Sequence, residues 1–187
     1  VEVSTTIKND SDQPKSMQLK TVIFDSKNNK EVQQAFITVQ IDPKSEKVFK
    51  QNLKVSSPKL WSPESPNLYN AKVSIIDKQE IADQSILNFG IRTITFSVAE
   101  GFKLNGKTTL LNGGCVHHDN GALGAASFDR AEERKIEILK EAGFNAVRTS
   151  HNPPSPAFLD ACDRLGILVI DEAFDGWRTK KNEYDYS

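Results

Sequence analysis

The spacing of apolar residues changes character near residue 99, and that change limits the chain to two architectures in succession. Before it, apolar side chains alternate: Val1, Val3 and Ile7, then Met17, Leu19 and Ile23, then Ala35, Ile37, Val39 and Ile41, and later Tyr69, Ala71, Val73 and Ile75. A period of two belongs to strands with one buried face. Turn-rich pieces such as NDSDQPK, DSKNNK and SSPKLWSPESPN separate the runs. Residues 1–99 are therefore predicted to form about seven antiparallel strands in an all-β, immunoglobulin-like sandwich, without the cysteine pair of antibody domains. Nothing in this half clusters polar residues able to do chemistry, and it reads as a structural spacer.

From residue 100 the period lengthens. Asn105-Gly106 in FKLNGKTT is a strong hairpin signal and leads into the apolar pair Leu110-Leu111. SFDRAEERKIEILKEAGFN reads as a helix, with Asp129 as N-cap, Glu132 three residues on, Ala131, Ile138, Leu139 and Ala142 on one face, and Gly143 at its end. NAVRTSH follows as a short strand. Ser155-Pro156 then opens a second helix, whose apolar face is Phe158, Leu159, Cys162 and Leu165 and whose stop is Gly166. ILVIDEAF is a third strand, apolar on both sides as in a parallel sheet covered by helices. The order strand, helix, strand, helix, strand predicts a second domain over 100–187.

Composition excludes several functions. With 24 basic and 25 acidic side chains in 187 residues, the net charge of -1 offers no general attraction for phosphate backbones. Nucleic acid is not an expected partner. No apolar run approaches the roughly 20 residues that span a bilayer, so no membrane partner is expected either. The opening VEVSTTIKND has neither a basic leader nor an initiator methionine and reads as the inside of a longer chain. Cys115 and Cys162 are too few for a disulfide framework and leave periplasmic, secreted and cytoplasmic settings open.

Chemistry concentrates after the three later strands. The stretch GGCVHHDNGALG places His117, His118, Asp119 and Asn120 after the first; Arg148, Thr149, Ser150, His151 and Asn152 end the second; Asp171, Glu172, Asp175 and Trp177 end the third. In a parallel arrangement these carboxyl ends gather on one rim, where barrels and doubly wound sheets place their sites. A histidine satisfied by a backbone carbonyl at a strand end is the competing reading, above all for His117. A metal site is the runner-up: one histidine of the first strand, His151 and a third-strand carboxylate could form one, although His117 and His118, being adjacent, point to opposite faces. No metal and no cofactor are expected.

The residues also resemble a known family. LLNGGCVHHDNGALGA, GFNAVRTSHNPPSPAFLDACDRLGILVIDEAFDGW, LWSPESPNLYNAKVSI and FGIRTITF look like the middle of glycoside hydrolase family 2, which contains β-galactosidases, β-glucuronidases and β-mannosidases. The resemblance implies an immunoglobulin-like domain followed by the N-terminal part, about three βα units, of a (β/α)₈ TIM barrel. It implies a retaining exo-glycosidase acting on carbohydrate with a terminal β-linked sugar, most simply a β-galactosidase. His118 and His151 would bond sugar hydroxyls, and Arg148 would brace the nucleophile carboxylate. Asp119, Asn152, Asp171 and Glu172 would contact sugar or support those that do.

Two departures accompany the likeness. A retaining glycosidase needs two carboxyl groups about 5–5.5 Å apart, and the adjacent Asp171 and Glu172 diverge. The family's acid/base lies in an Asn-Glu pair after the fourth strand, whereas Asn182-Glu183 here sits in a charged tail and is read as coincidence. The catalytic pair is thus expected outside this chain, which alone should be inactive. Where magnesium-dependent relatives carry a glutamate and a histidine, this sequence has Gly176 and Arg178. The alternatives are a metal-dependent barrel hydrolase and a non-catalytic carbohydrate-binding or interaction module. Three strands cannot close a barrel, so homodimerisation through exposed barrel edges, within residues 110–175, is also expected.

Overall fold

The computed structural model describes residues 1–174 and 183–184. Two compact units divide it: Val1–Leu60 with Asn67–Ile91, and Trp61–Pro66 with Arg92–Ser187.

The first unit is built from β1 (Glu2–Asn9), β2 (Lys15–Asp25), β3 (Lys30–Ile41), β4 (Ser45–Asn52), β5 (Tyr69–Asp77) and β6 (Glu80–Phe89). They form a four-stranded antiparallel sheet, ordered β3-β2-β5-β6, and a two-stranded sheet of β1 and β4. The alternating residues do what their period requires: Ile7 packs with Leu19, Val39, Ile41 and Val73, all buried, so the small sheet covers the large one. One polar pair crosses this core. Thr21 Oγ1 donates to Gln51 Oε1 at 2.6 Å, and Gln51 Nε2 donates to Leu19 O, so neither buried group goes unsatisfied.

A seventh strand, β7 (Ile94–Ser97), does not join the sandwich. It pairs with β8 (Gly101–Leu104), which continues into β9 (Lys107–Thr108). Asn105 and Gly106 form the turn with φ of 52° and 78°, the positive pair that a two-residue hairpin of matching twist demands. Thr93 is drawn to this turn by two bonds with Asn105, one to its side chain and one from its backbone N–H.

After the hairpin come β10 (Gly113–Val116), α1 (Asp129–Glu141), β11 (Ala146–Thr149), α2 (Pro156–Leu165) and β12 (Leu168–Ile170). The three strands pair in parallel in the order β10-β11-β12. Gly113 permits the close approach: a Cβ there would fall 1.7 Å from Ala146 O. Ser155 caps α2 by accepting from Phe158 N–H at 3.2 Å, with Pro156 at the first helical position. Past the end of α1, Phe144 N–H reaches Leu139 O and Gly143 N–H reaches Lys140 O, a Schellman closure made with Gly143 at φ 86°.

Three local expectations need correction. Phe128, not Asp129, is the N-cap of α1, and its side chain makes no capping bond. Glu132 turns away from the helix start because Asn120 and Ser127 both donate to its buried carboxylate. The buried face of α1 is Glu132, Ile136 and in part Leu139, whereas Ile138 is 44 % exposed and Ala142 exposed. Among the described residues, moreover, the sheet is covered on one side only. Both helices pack on the face carrying Val116, Val147 and Val169, and the opposite face, with Cys115, Arg148 and Ile170, is open.

The turn-rich stretch around Trp61 is fastened to the helices of the second unit. Trp61 is buried, donates from Nε1 to Asp163 O at 2.8 Å and lies 4.7 Å beneath the Arg92 guanidinium. Lys140 Nζ donates to both Pro63 O and Gly166 O. Gly166 has φ of 79°, and a Cβ on it would stand 2.4 Å from Pro63 O. Gly166→Ala is therefore expected to destabilise the chain by about 3 kcal/mol or more, against about 1 kcal/mol for Gly143→Ala, whose added methyl meets open space. Urea unfolding of the two variants measures the difference.

Candidate active-site rim

Parallel pairing brings the three polar strand ends together, and the register decides which side chains meet. Cys115 stands opposite Arg148, and Arg148 opposite Ile170. In a parallel sheet, partners abreast point the same way, and the next side chain on that face lies two residues along. That rule aligns Cys115, Arg148 and Glu172 over the open face.

A carboxylate organises the group. Arg148 donates from Nε and Nη2 to Glu172 Oε1, and its Nη1 lies 3.6 Å from Cys115 Sγ. Glu172 Oε2 lies 2.9 Å from His151 Nδ1. The His151 ring in turn meets His117 edge to face, with centroids 5.7 Å apart. Behind them, buried Thr149 ties β11 to the third strand end: Glu172 N–H donates to Thr149 Oγ1, and that hydroxyl reaches Asp171 Oδ1 at 3.2 Å.

Burial alone would raise the pKa of Glu172. Hydrogen bonds from His151 and Arg148, with the positive charge beside them, outweigh it and hold the carboxyl below the usual carboxylate range. The same contact, first by hydrogen bond and then by charge, raises Arg148. Glu172 is thus an anion at neutral pH and cannot serve there as a proton donor.

Of the residues singled out from the sequence, Arg148, His151 and Glu172 come together. His118 borders a small space with Val116, Glu132, Lys135 and Phe158, on the helix side of the sheet. Asp119 donates its N–H to His117 O and borders an open groove of about 690 Å³ beside α1. Asn152 is exposed. Asp175, Gly176, Trp177, Arg178 and Asn182 lie outside the described residues. Among the described residues no set of three or more His, Cys, Asp or Glu is placed to hold a metal ion.

Two members of this neighbourhood, Cys115 and Glu132, are not marked as site residues by the sequence pattern, whereas His117 is, with a backbone-satisfied histidine as its competing reading. Cys115 lies in β10 and His117 two residues on, just past its end, a spacing that favours a shared face. Glu132 was assigned to helix capping; it instead anchors the histidine loop through Asn120, while its neighbour Lys135 donates to His117 O at 3.4 Å. Burial raises the pKa of Glu132, but its bonds from Asn120, Lys135 and Ser127 prevail and lower it.

Comparison with known proteins bears on the same residues. The model of glycosyl hydrolases family 2 matches residues 1–92, and that family's TIM barrel domain matches 97–180. The chain belongs to glycosyl hydrolase family 2. A β-galactosidase of Bacteroides ovatus is 42% identical over 185 residues, 99% of this chain and 22% of the relative. A solved family 2 member from Bacteroides cellulosilyticus is 50% identical with a TM-score of 0.93, over 99% of this chain and 24% of its own. A β-glucuronidase of Bacteroides uniformis is 31% identical with a TM-score of 0.86, over 92% of this chain and 21% of its own. The chain thus spans between a fifth and a quarter of these relatives, and it comprises the family's sandwich and a partial TIM barrel.

The two thiols of this family 2 chain should behave differently. Cys162 is buried against Ile136 and Phe158, and desolvation pushes its pKa from 9.0 up to about 12. Because the fold favours the neutral thiol, its contribution to stability is complete below pH 9 and fades as pH rises towards 12. Cys115 is exposed. Titration with a chromogenic disulfide at pH 8 should count one rapid thiol per chain, lost in Cys115→Ser, with the second appearing only in denaturant.

Proposed function

We propose that the chain is the immunoglobulin-like sandwich and the opening of the catalytic barrel of a retaining exo-glycosidase that releases a terminal β-linked sugar, with β-galactoside as the substrate class. The observation that carries this reading is the Arg148–Glu172–His151 cluster on the rim of a one-sided parallel sheet, in a chain 42% identical to a β-galactosidase. On this reading His118 and His151 bond sugar hydroxyls, Arg148 braces the nucleophile, and Asp119 and Asn152 border the sugar. Such bonds accelerate hydrolysis to the extent that they tighten as the ring flattens towards an oxocarbenium-like state.

The acid/base and nucleophile lie elsewhere in the longer protein. Glu172 is ionised and paired with two cations or donors, and Asp171 accepts from Thr149. In that state Glu172 cannot protonate a leaving oxygen. A β-glucuronide is the second substrate reading, favoured by the likeness to the Bacteroides uniformis enzyme.

Aryl β-galactosides and β-glucuronides offered to the full-length protein separate the two. Hydrolysis of the galactoside is expected, with kcat falling on the order of 10²-fold in His151→Ala or His118→Ala. The 187-residue chain alone should turn over neither. Turnover by that chain would place the catalytic carboxylates within it.

Self-association of the isolated chain follows from its open sheet. Leu110, Leu111 and Ile170 are exposed beside edges of β10 and β12 that pair with no other strand among the described residues. Light scattering at rising concentration should report a dimer, weakened by Ile170→Lys. A monomer at every concentration would rule the association out.

A further inference from the structure

We propose that Glu132 is a positioning residue: its buried carboxylate holds the loop of residues 117–127 closed on α1, and so presents His118 and Asp119 to substrate in one arrangement. This deepens the glycosidase reading and rests on it for the identity of that substrate.

The loop has little of its own to hold it. Its sequence, HHDNGALGAAS, contains two glycines and three alanines, and every residue from Gly121 to Ser127 is exposed. A segment of small, solvated residues gains little from packing and loses much conformational freedom on being fixed. Polar bonds to one side chain supply the difference. In the middle of the loop, Asn120 Nδ2 donates to Glu132 Oε1 at 2.8 Å, and at its end Ser127 Oγ donates to the same oxygen at 3.2 Å. Its start is tied through Lys135, whose Nζ donates to Glu132 Oε2 at 3.3 Å and to His117 O at 3.4 Å. One carboxylate thus gathers the beginning, middle and end of the loop. The turn between closes on the same asparagine, since Asn120 N–H donates to Gly124 O at 2.8 Å and Asn120 Nδ2 also reaches Ala126 O.

The anion is what makes this arrangement work. The Glu132 side chain is 6% exposed, and a carboxylate taken that far from water is costly unless it is bonded. Its two oxygens accept on both sides, which an amide does on one side only and an alkyl group on neither. Released from Glu132, the loop would sample many shapes, of which a fraction places His118 and Asp119 for a sugar. Apparent affinity then falls in proportion to that fraction, whereas the complex once formed reacts as before. The effect therefore belongs to KM, unlike the loss of His118 itself, which falls on kcat.

Amide hydrogen exchange of the 187-residue chain, read residue by residue in ¹H–¹⁵N spectra, reports the latch without any catalysis. The amides of Asn120, Leu123, Gly124 and Ala126 are hydrogen-bonded within the loop. In Glu132→Leu they should exchange about 10-fold faster or more, while those of Ile136 to Leu139 in α1 change by less than about twofold. Asn120→Ala leaves α1 untouched and should release the same amides, which keeps the test decisive if Glu132→Leu fails to fold. Asn120→Asp, which sets a second carboxylate against the first, should release them further. In the full-length protein, Glu132→Leu should raise KM for the aryl glycoside it hydrolyses on the order of 10-fold with kcat within about threefold, and Glu132→Gln should recover part of that loss. Unchanged loop exchange in Glu132→Leu or Asn120→Ala, α1 amides released as far as those of the loop, or an unmoved KM overturns the positioning role. Released loop amides with no hydrolysis by the full-length protein would instead overturn the glycosidase reading and leave the latch standing.

Discussion

The register of three short parallel strands governs everything the rim can do. Because Cys115, Arg148 and Ile170 stand abreast, the side chain two beyond Ile170 comes over the same face as the guanidinium. A slip of one residue in β12 would turn Glu172 to the other face and bring Asp171 or Ala173 over the guanidinium's face in its place. The core on the other face prevents that slip. Val116, Val147 and Val169 are locked between the sheet and the helices by Ile136, Phe158 and Cys162. The chemistry of one face is thus held in register by the packing of the other.

Charge balance on the rim follows from the same placement. Glu172 is partly desolvated, which by itself favours the neutral acid, yet its partners reverse the sign. Removing either partner alone would leave an ion with half its compensation, so the three residues act as a unit whose single-site effects do not add. This separates Glu172 from a general acid, which needs the opposite balance, burial without compensating cations.

The fold was largely legible where one residue type answers one backbone need. Asn105-Gly106 could only be a tight turn, Ser155-Pro156 only a helix start, and Gly143 and Gly166 only left-handed helix ends. It was misread where side chains compete for partners over distance. Asp129 sits at a helix start, yet the carboxylate that matters there is Glu132, claimed by Asn120 twelve residues earlier. Periodicity also could not say that one face of the third strand would lie open, because aliphatic residues look alike whether they meet a helix or the inside of an incomplete barrel. In the site, the parallel order named the rim and three of its members, whereas the pairing of His117 rather than His118 with His151 depends on the bend after Val116, which no spacing records.

Trp61 is separated by 102 residues from the carbonyl it bonds. At synthesis rates of about 5–20 residues per second, Trp61 is added to the chain roughly 5–20 seconds before Asp163. During that interval the last strands of the sandwich are made, since β6 ends at Phe89. Until Asp163 is made, the Trp61 indole lacks the carbonyl it bonds in the folded chain. A gene cut at Arg92 to express the barrel portion alone would remove this loop and leave its seat on α2 empty.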